Sequence, residues 1–213
     1  MSNILNMPGQ INLNTSLGLI IYDLVKTHNF KNIVDVGTWN GMGTTTCIMR
    51  AIDAKKDTNA HIYTVELYPE MINYAQKNLK KYTDHYKLHL LEGAIATIQE
   101  VYSWFDHASI DMTSDGHARL WYEKDMKLIS SANNVLNLLP NTIDLLILDG
   151  GEYSTYPEWQ ILKNRTQFFV LDDTNLLKCS KIRKEILSDP KKYTIIRDAT
   201  NERNGFMVGR RNA

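Results

Sequence analysis

Apolar positions along the chain follow two rhythms. Over 17–26, Leu17, Leu19, Ile20, Ile21, Leu24 and Val25 recur at helical spacing, which predicts an amphipathic helix with Asn14, Thr15 or Ser16 as its cap. Residues 32–36 (NIVDV) form a short β-branched run closed by Gly37, and 41–54 reads as helix. The unit then repeats: 61–65 (HIYTV) ends at Glu66, and 69–82 is amphipathic behind it. A third strand is predicted at 88–91. The runs 143–148 (IDLLIL) and 168–171 (FFVL) are almost unbroken apolar, the pattern of parallel strands covered on both faces. Helical stretches follow them near 156–163 and 176–187. Finally, 193–197 and 206–208 flank the polar turn 198–205, and a short turn joins only antiparallel strands.

Strands alternating with helices predict an α/β fold, a Rossmann-like doubly wound and mostly parallel sheet with a C-terminal antiparallel hairpin. In such sheets ligands bind beyond the carboxyl ends of the strands, at the point where strand order reverses. At 213 residues the chain fits one domain, 1–213.

The turn after the first strand carries Asp35, Gly37, Gly41 and Gly43, an Asp-x-Gly followed after three residues by Gly-x-Gly. Glycines there let the backbone take positive φ and let a ligand come close, and the helix start offers free amide donors to a carboxylate or ribose. The alternative is a tight corner that binds nothing. Glu66, at the end of the second strand, stands where a carboxylate can accept both hydroxyls of a ribose.

With those residues in place, the chain resembles the class I S-adenosylmethionine (SAM)-dependent methyltransferases over roughly 17–210. The resemblance implies that Asp35 orients the methionine amino group, that Gly37 and Gly41 line the methionine end, with Gly43 completing the turn, and that Glu66 binds ribose. It also implies that the segment with Glu92, Gly93 and Ala94 borders the adenine. The glycine spacing is wider than the Gly-x-Gly-x-x-Gly of NAD enzymes, which leaves an NAD-dependent oxidoreductase as a weaker alternative.

Two acidic clusters follow the fourth and fifth strands: Asp149-Gly150-Gly151-Glu152-Tyr153, and Asp172-Asp173-Thr174-Asn175. Like charges so placed call for a cation or a proton, and oxygen ligands favour magnesium or another hard divalent ion, so Asp149, Asp172 and Asp173 are candidate metal ligands. The alternative is that they cap the following helices. The arrangement is similar to the metal-dependent catechol, caffeoyl-coenzyme A and sugar O-methyltransferases. There Asp173 falls where an Asn is usual, and Glu152 where a lysine or histidine is usual. Glu152 and Asp149 are the candidate catalytic residues, Glu152 as general base.

Relative to that family, about 101–139 is an insertion that can form a lid, with Trp104, Phe105, Trp121 and Tyr122 as aromatic walls and 126–139 as helix. His107 and His117 are assigned no role, Trp39 and Trp159 are expected to be packing residues, and Tyr153 and Tyr156 border an acceptor or pack.

Composition narrows the function. Basic and acidic side chains both total 24, so no overall field favours nucleic acid. There is neither a signal-like start nor a run of 18 apolar residues, so no membrane span is expected. Cys47 and Cys179 lack disulfide or zinc spacing, which suits a reducing, cytoplasmic setting. The expected function is O-methyl transfer from SAM to a small molecule or sugar, assisted by Glu152 or a divalent ion. A non-catalytic SAM-fold binding protein remains the alternative.

Overall fold

The computed structural model describes residues 4–104 and 117–212, the side chains at 4, 117 and 118 excepted. Seven strands form one sheet: β1 (Asn32–Val36), β2 (His61–Glu66), β3 (Lys87–Glu92), β4 (Ile143–Leu148), β5 (Thr166–Asp172), β6 (Tyr193–Ala199) and β7 (Phe206–Arg211). Their order is β3-β2-β1-β4-β5-β7-β6. The first five run parallel, and β7 lies antiparallel between β5 and β6. Order reverses between β1 and β4, which leaves a crevice above their carboxyl ends.

Helices α1 (Ser16–Thr27), α2 (Thr44–Lys55), α3 (Pro69–Asn78), α4 (Lys80–Thr83), α5 (Ile98–Trp104), α6 (His117–Ser131), α7 (Thr155–Leu162) and α8 (Leu177–Ser188) connect the strands. Of the three cap candidates for α1, Thr15 serves, its hydroxyl accepting from the Gly18 amide at 3.2 Å.

The apolar strands are explained by their period of two. In β4, Leu145 and Ile147 enter the core beneath α1 and α2, whereas Leu146 and Leu148 enter the opposite core with Trp159, Leu162, Cys179 and Ile182. Both faces are dry from Leu145 to Leu148, so those positions are apolar, while Asp144 near the strand's start accepts from the Lys31 and Asn32 amides. Each fully buried Leu or Ile stabilises the fold by about 1.5–3 kcal/mol. Trp159 is fully buried, edge-on to Phe169 at 5.5 Å, as expected of a packing residue.

Three expectations change. The helix predicted from Gly41 begins at Thr44, and the one predicted over 69–82 breaks at Leu79 into α3 and α4. The largest change falls in 101–139. The helix expected over 126–139 begins earlier, at His117, and ends at Ser131. The chain then runs beside Ala94, which donates to the Asn133 carbonyl at 2.9 Å and accepts from the Val135 amide at 2.9 Å. Asn134 accounts for the stop: its side chain donates to the Ile95 carbonyl and accepts from the Leu136 amide, local bonds that compete with helix. Phe105 and His107 lie outside the described residues, as does the side chain of His117. Among the described residues no helix is long and apolar enough to cross a membrane.

Candidate functional site

A cavity of about 290 Å³ opens at the β1/β4 reversal. Of the predicted cofactor residues, Gly37, Glu66, Gly93 and Ala94 line it; of the predicted acceptor-side residues, Asp149 and Glu152 do. Asp35, Gly41, Gly43, Asp172 and Asp173 are not among its lining residues.

Gly37 ties the two strand ends together. Its φ is 99°, and a Cβ there would lie 2.2 Å from the Asp149 carbonyl oxygen, so no other residue fits. Gly41, at φ 81°, has a packing reason for its missing side chain: it makes room for Leu79, whose Cδ1 would be 2.8 Å from a Cβ. The segment 5–11 also covers this part of the turn: the Gly9 amide donates to Met42 O at 3.0 Å, and the Asn40 side chain donates to Met7 O at 2.8 Å.

Asp35 is fully buried at the base of the turn. Its Oδ2 accepts from the hydroxyls of Thr45 at 2.6 Å, Thr44 at 3.1 Å and Thr64 at 3.4 Å, and its Oδ1 has no partner among the described residues. Burial pushes its carboxyl up to about 6 against the pull of those hydroxyls.

Glu66 is buried on the cavity wall. Oε2 accepts from the Trp39 amide at 2.6 Å and Oε1 from the Tyr68 amide at 2.9 Å, so each oxygen keeps a lone pair for a ligand. Burial raises its pKa despite these bonds.

Several residues of the site went unread in the sequence. Trp39, expected to pack, is 41% exposed at φ 50° and lines the cavity. Trp121, expected as an aromatic wall of the 101–139 segment, lines it from α6 together with the unread Asp125 and Ile129, and Tyr68 donates its hydroxyl to Asp125. Their spacing of four was a legible sign of one helical face. Glu158 lines it from α7, 5% exposed, with Oε2 unpartnered among the described residues and its carboxyl pushed up to about 7 by burial. Tyr153 is buried edge-on to Tyr122, away from the cavity, and Tyr156 packs with Trp104 at 5.0 Å.

On the acceptor side, Glu152 Oε1 accepts from the Lys178 amide at the start of α8, 3.0 Å away, and burial raises its pKa. Asp149, Asp172 and Asp173 do converge, one carboxylate oxygen from each lying within 4.8 Å of the others. Burial raises Asp149 and Asp172, the latter to about 7 with the Asp149 charge adding. For Asp173, burial is outweighed by Lys178, and its carboxyl lies below the ordinary range.

No protein-family model and no curated protein matches the sequence. Solved structures do match in shape. A putative caffeoyl-CoA O-methyltransferase from Staphylococcus aureus superposes with a TM-score of 0.60 at 15% identity, over 96% of this chain and 86% of that one. The O-methyltransferase from Bacillus cereus in complex with SAH gives 0.61 at 12% identity, over 96% and 84%. An SAH-bound methyltransferase from Podospora anserina gives 0.60 at 15%, over 92% and 78%. The fold is that of solved O-methyltransferases.

On that methyltransferase fold, the residues present suit SAM. Glu66 offers free lone pairs to ribose hydroxyls, and Glu158 places on the cavity wall a carboxyl group with one oxygen unpartnered among the described residues. A divalent ion does not fit the acid cluster as it stands. Lys178, absent from the sequence reading, sits among the carboxylates with Nζ 3.0 Å from Asp149 Oδ1 and 2.8 Å from Asp173 Oδ2.

Proposed function

We propose that this chain transfers a methyl group from SAM to a hydroxyl of a small-molecule or sugar acceptor, with Glu152 as general base. The observation that carries the reading is a single cavity, on an O-methyltransferase fold, that presents Gly37, Glu66, Gly93 and Ala94 together with Asp149 and Glu152.

When bound, SAM supplies a methyl group on a positively charged sulfur that leaves as a neutral thioether. Glu66 takes the ribose hydroxyls while the Trp39 and Tyr68 amides hold it in place. Gly93 and Ala94 border the adenine. The methionine end lies along Gly37, and Glu158 is the wall carboxylate that pairs with its ammonium; Asp35, one layer back, supports the turn. Asp149 borders the sulfonium. Glu152, anchored through Oε1, receives the acceptor proton on Oε2, and its raised pKa makes it a better base than an ordinary carboxylate. Trp121 and Asp125 of α6 close the acceptor side and exclude water. Alignment of acceptor and methyl contributes about 7–11 kcal/mol in well-oriented reactions.

Thermal unfolding with SAM, SAH, NAD or no ligand tests the reading. SAM and SAH raise the melting temperature, the more so the tighter they bind, and NAD does not. A chain stabilised by NAD and indifferent to SAM would overturn it. Binding of SAM with no methyl release to any hydroxyl-bearing panel would favour a binding protein instead.

A further inference from the structure

The seat that the acid cluster would give a metal is taken by a side chain of the protein itself. Lys178 is the second residue of α8, its side chain only 6% exposed, and its ammonium spans Asp149 and Asp173 at hydrogen-bond distances. Those distances suit N–H···O bonds, whereas magnesium holds oxygen at about 2.0–2.1 Å and keeps several waters. Asp173 reaches the ammonium because it turns at φ 54°, a conformation Asp tolerates, between β5 and α8. A second cation closes the other flank: Arg203 pairs with Asp172 at 3.1 Å and with Asp173 at 3.5 Å, and Asn204 donates to Asp173 at 3.1 Å. Three carboxylates thus face two fixed positive charges. A dication entering here would have to expel a buried lysine that has no other acceptor in reach among these contacts, or sit beside its charge.

We propose that Lys178 is a built-in cation occupying the place of a divalent metal, so that the Asp149, Asp172 and Asp173 cluster binds no metal and the acceptor is activated without one. The same residue also positions Glu152, since its backbone amide holds Oε1. Only the statement about the acceptor rests on the methyl transfer proposed above; occupancy of the cluster does not.

The test is titration of the full chain with Mn²⁺, followed by the electron paramagnetic resonance signal of the free ion, with neither SAM nor acceptor present. The wild type is expected to bind no stoichiometric Mn²⁺. Lys178→Ala should gain one site per chain, at least about tenfold tighter than anything in the wild type, the lower end of what a change beside a metal site produces. Adding Asp172→Asn to it should abolish that site. Lys178→Gln, which keeps length and hydrogen bonding without charge, replaces the alanine variant if that one does not fold. One tight Mn²⁺ in the wild type, lost in Asp172→Asn, overturns the proposal, and so does a folded lysine variant that binds no better than wild type. If neither variant folds, the wild-type titration alone decides. Because the readout needs no cofactor, a chain that fails to bind SAM but shows this Mn²⁺ pattern sinks the methyl transfer and leaves Lys178 in its place.

Discussion

Asp35→Asn should make the ligand-free chain more stable at neutral and alkaline pH. The Asp35 carboxyl is fully buried, and burial moves it from the ordinary 3.8 to about 6. Its folded pKa is therefore raised above its unfolded one. Below about pH 3.8 both states hold the proton and the charge cost is absent; as pH rises through about 6 the folded chain must ionise a buried group, and stability is lost. At about 1.36 kcal/mol per pH unit, that gap corresponds to about 3 kcal/mol fully expressed near pH 8. Asparagine is close to isosteric, still accepts from the Thr44 and Thr45 hydroxyls, and leaves the same outward atom unpartnered, so it removes mainly the charge. Urea unfolding of both proteins without ligand, from about pH 3 to 8, should show a difference near zero at the acid end that grows between about pH 3.8 and 6 and levels off above that at about 3 kcal/mol in favour of the variant. A difference that is flat with pH, or a wild type that is the more stable at pH 8, would refute the argument that Asp35 is a charge buried at the expense of stability.

Glu66→Ala leaves the Trp39 and Tyr68 amides without their acceptor, at about 1–3 kcal/mol each, and should weaken SAM binding measured by calorimetry more than Glu66→Asp does. Gly37→Ala should lower the melting temperature by well over about 4 °C, because it adds backbone strain to a 2.2 Å clash with Asp149, whereas Gly43→Ala, whose nearest contact is 3.5 Å and whose cost is only that of its ψ of −126°, should lower it less. Glu152→Gln should keep the Lys178 amide bond and the fold yet slow methyl transfer by about 10²–10⁴; an unchanged rate would remove Glu152 as the base.

Where side-chain period and backbone geometry agree, the fold was legible in the chain. Runs such as IDLLIL announced strands buried on both faces, and the DATNERNG turn could join only antiparallel neighbours. Insertion of β7 between β5 and β6 left no such mark, since pairing partners are chosen by the whole sheet. At the site, Glu66 and Gly37 were readable because their position after a strand limits what they can do. The packing of Gly41 against Leu79 was not legible, because a glycine that admits a side chain looks in sequence like one that admits a ligand. Glu158, Asp125 and Lys178 went unread for a common reason: each lies on a helix, and which helical face meets the cavity depends on packing between elements far apart in the chain.

The placement of positive charge follows from the same topology. Parallel strands point their carboxyl ends one way, so Glu66, Asp149 and Asp172 collect at one edge of the sheet. Alone, that edge would be unstable through mutual repulsion. Because β7 is antiparallel to both neighbours, β6 runs with β5 and its turn returns to the acidic edge, where Arg203 meets Asp172 and Asp173. Helix α8 adds Lys178 to the same flank. Both cations thus serve the β4 and β5 ends. On the cavity wall near β1 and β2, by contrast, Glu66 is held by backbone amides and Glu158 keeps an oxygen without a partner among the described residues. The acidic edge is therefore held in two ways, by fixed cations at the β4 and β5 ends and by backbone amides on the side where Gly37 and Glu66 stand.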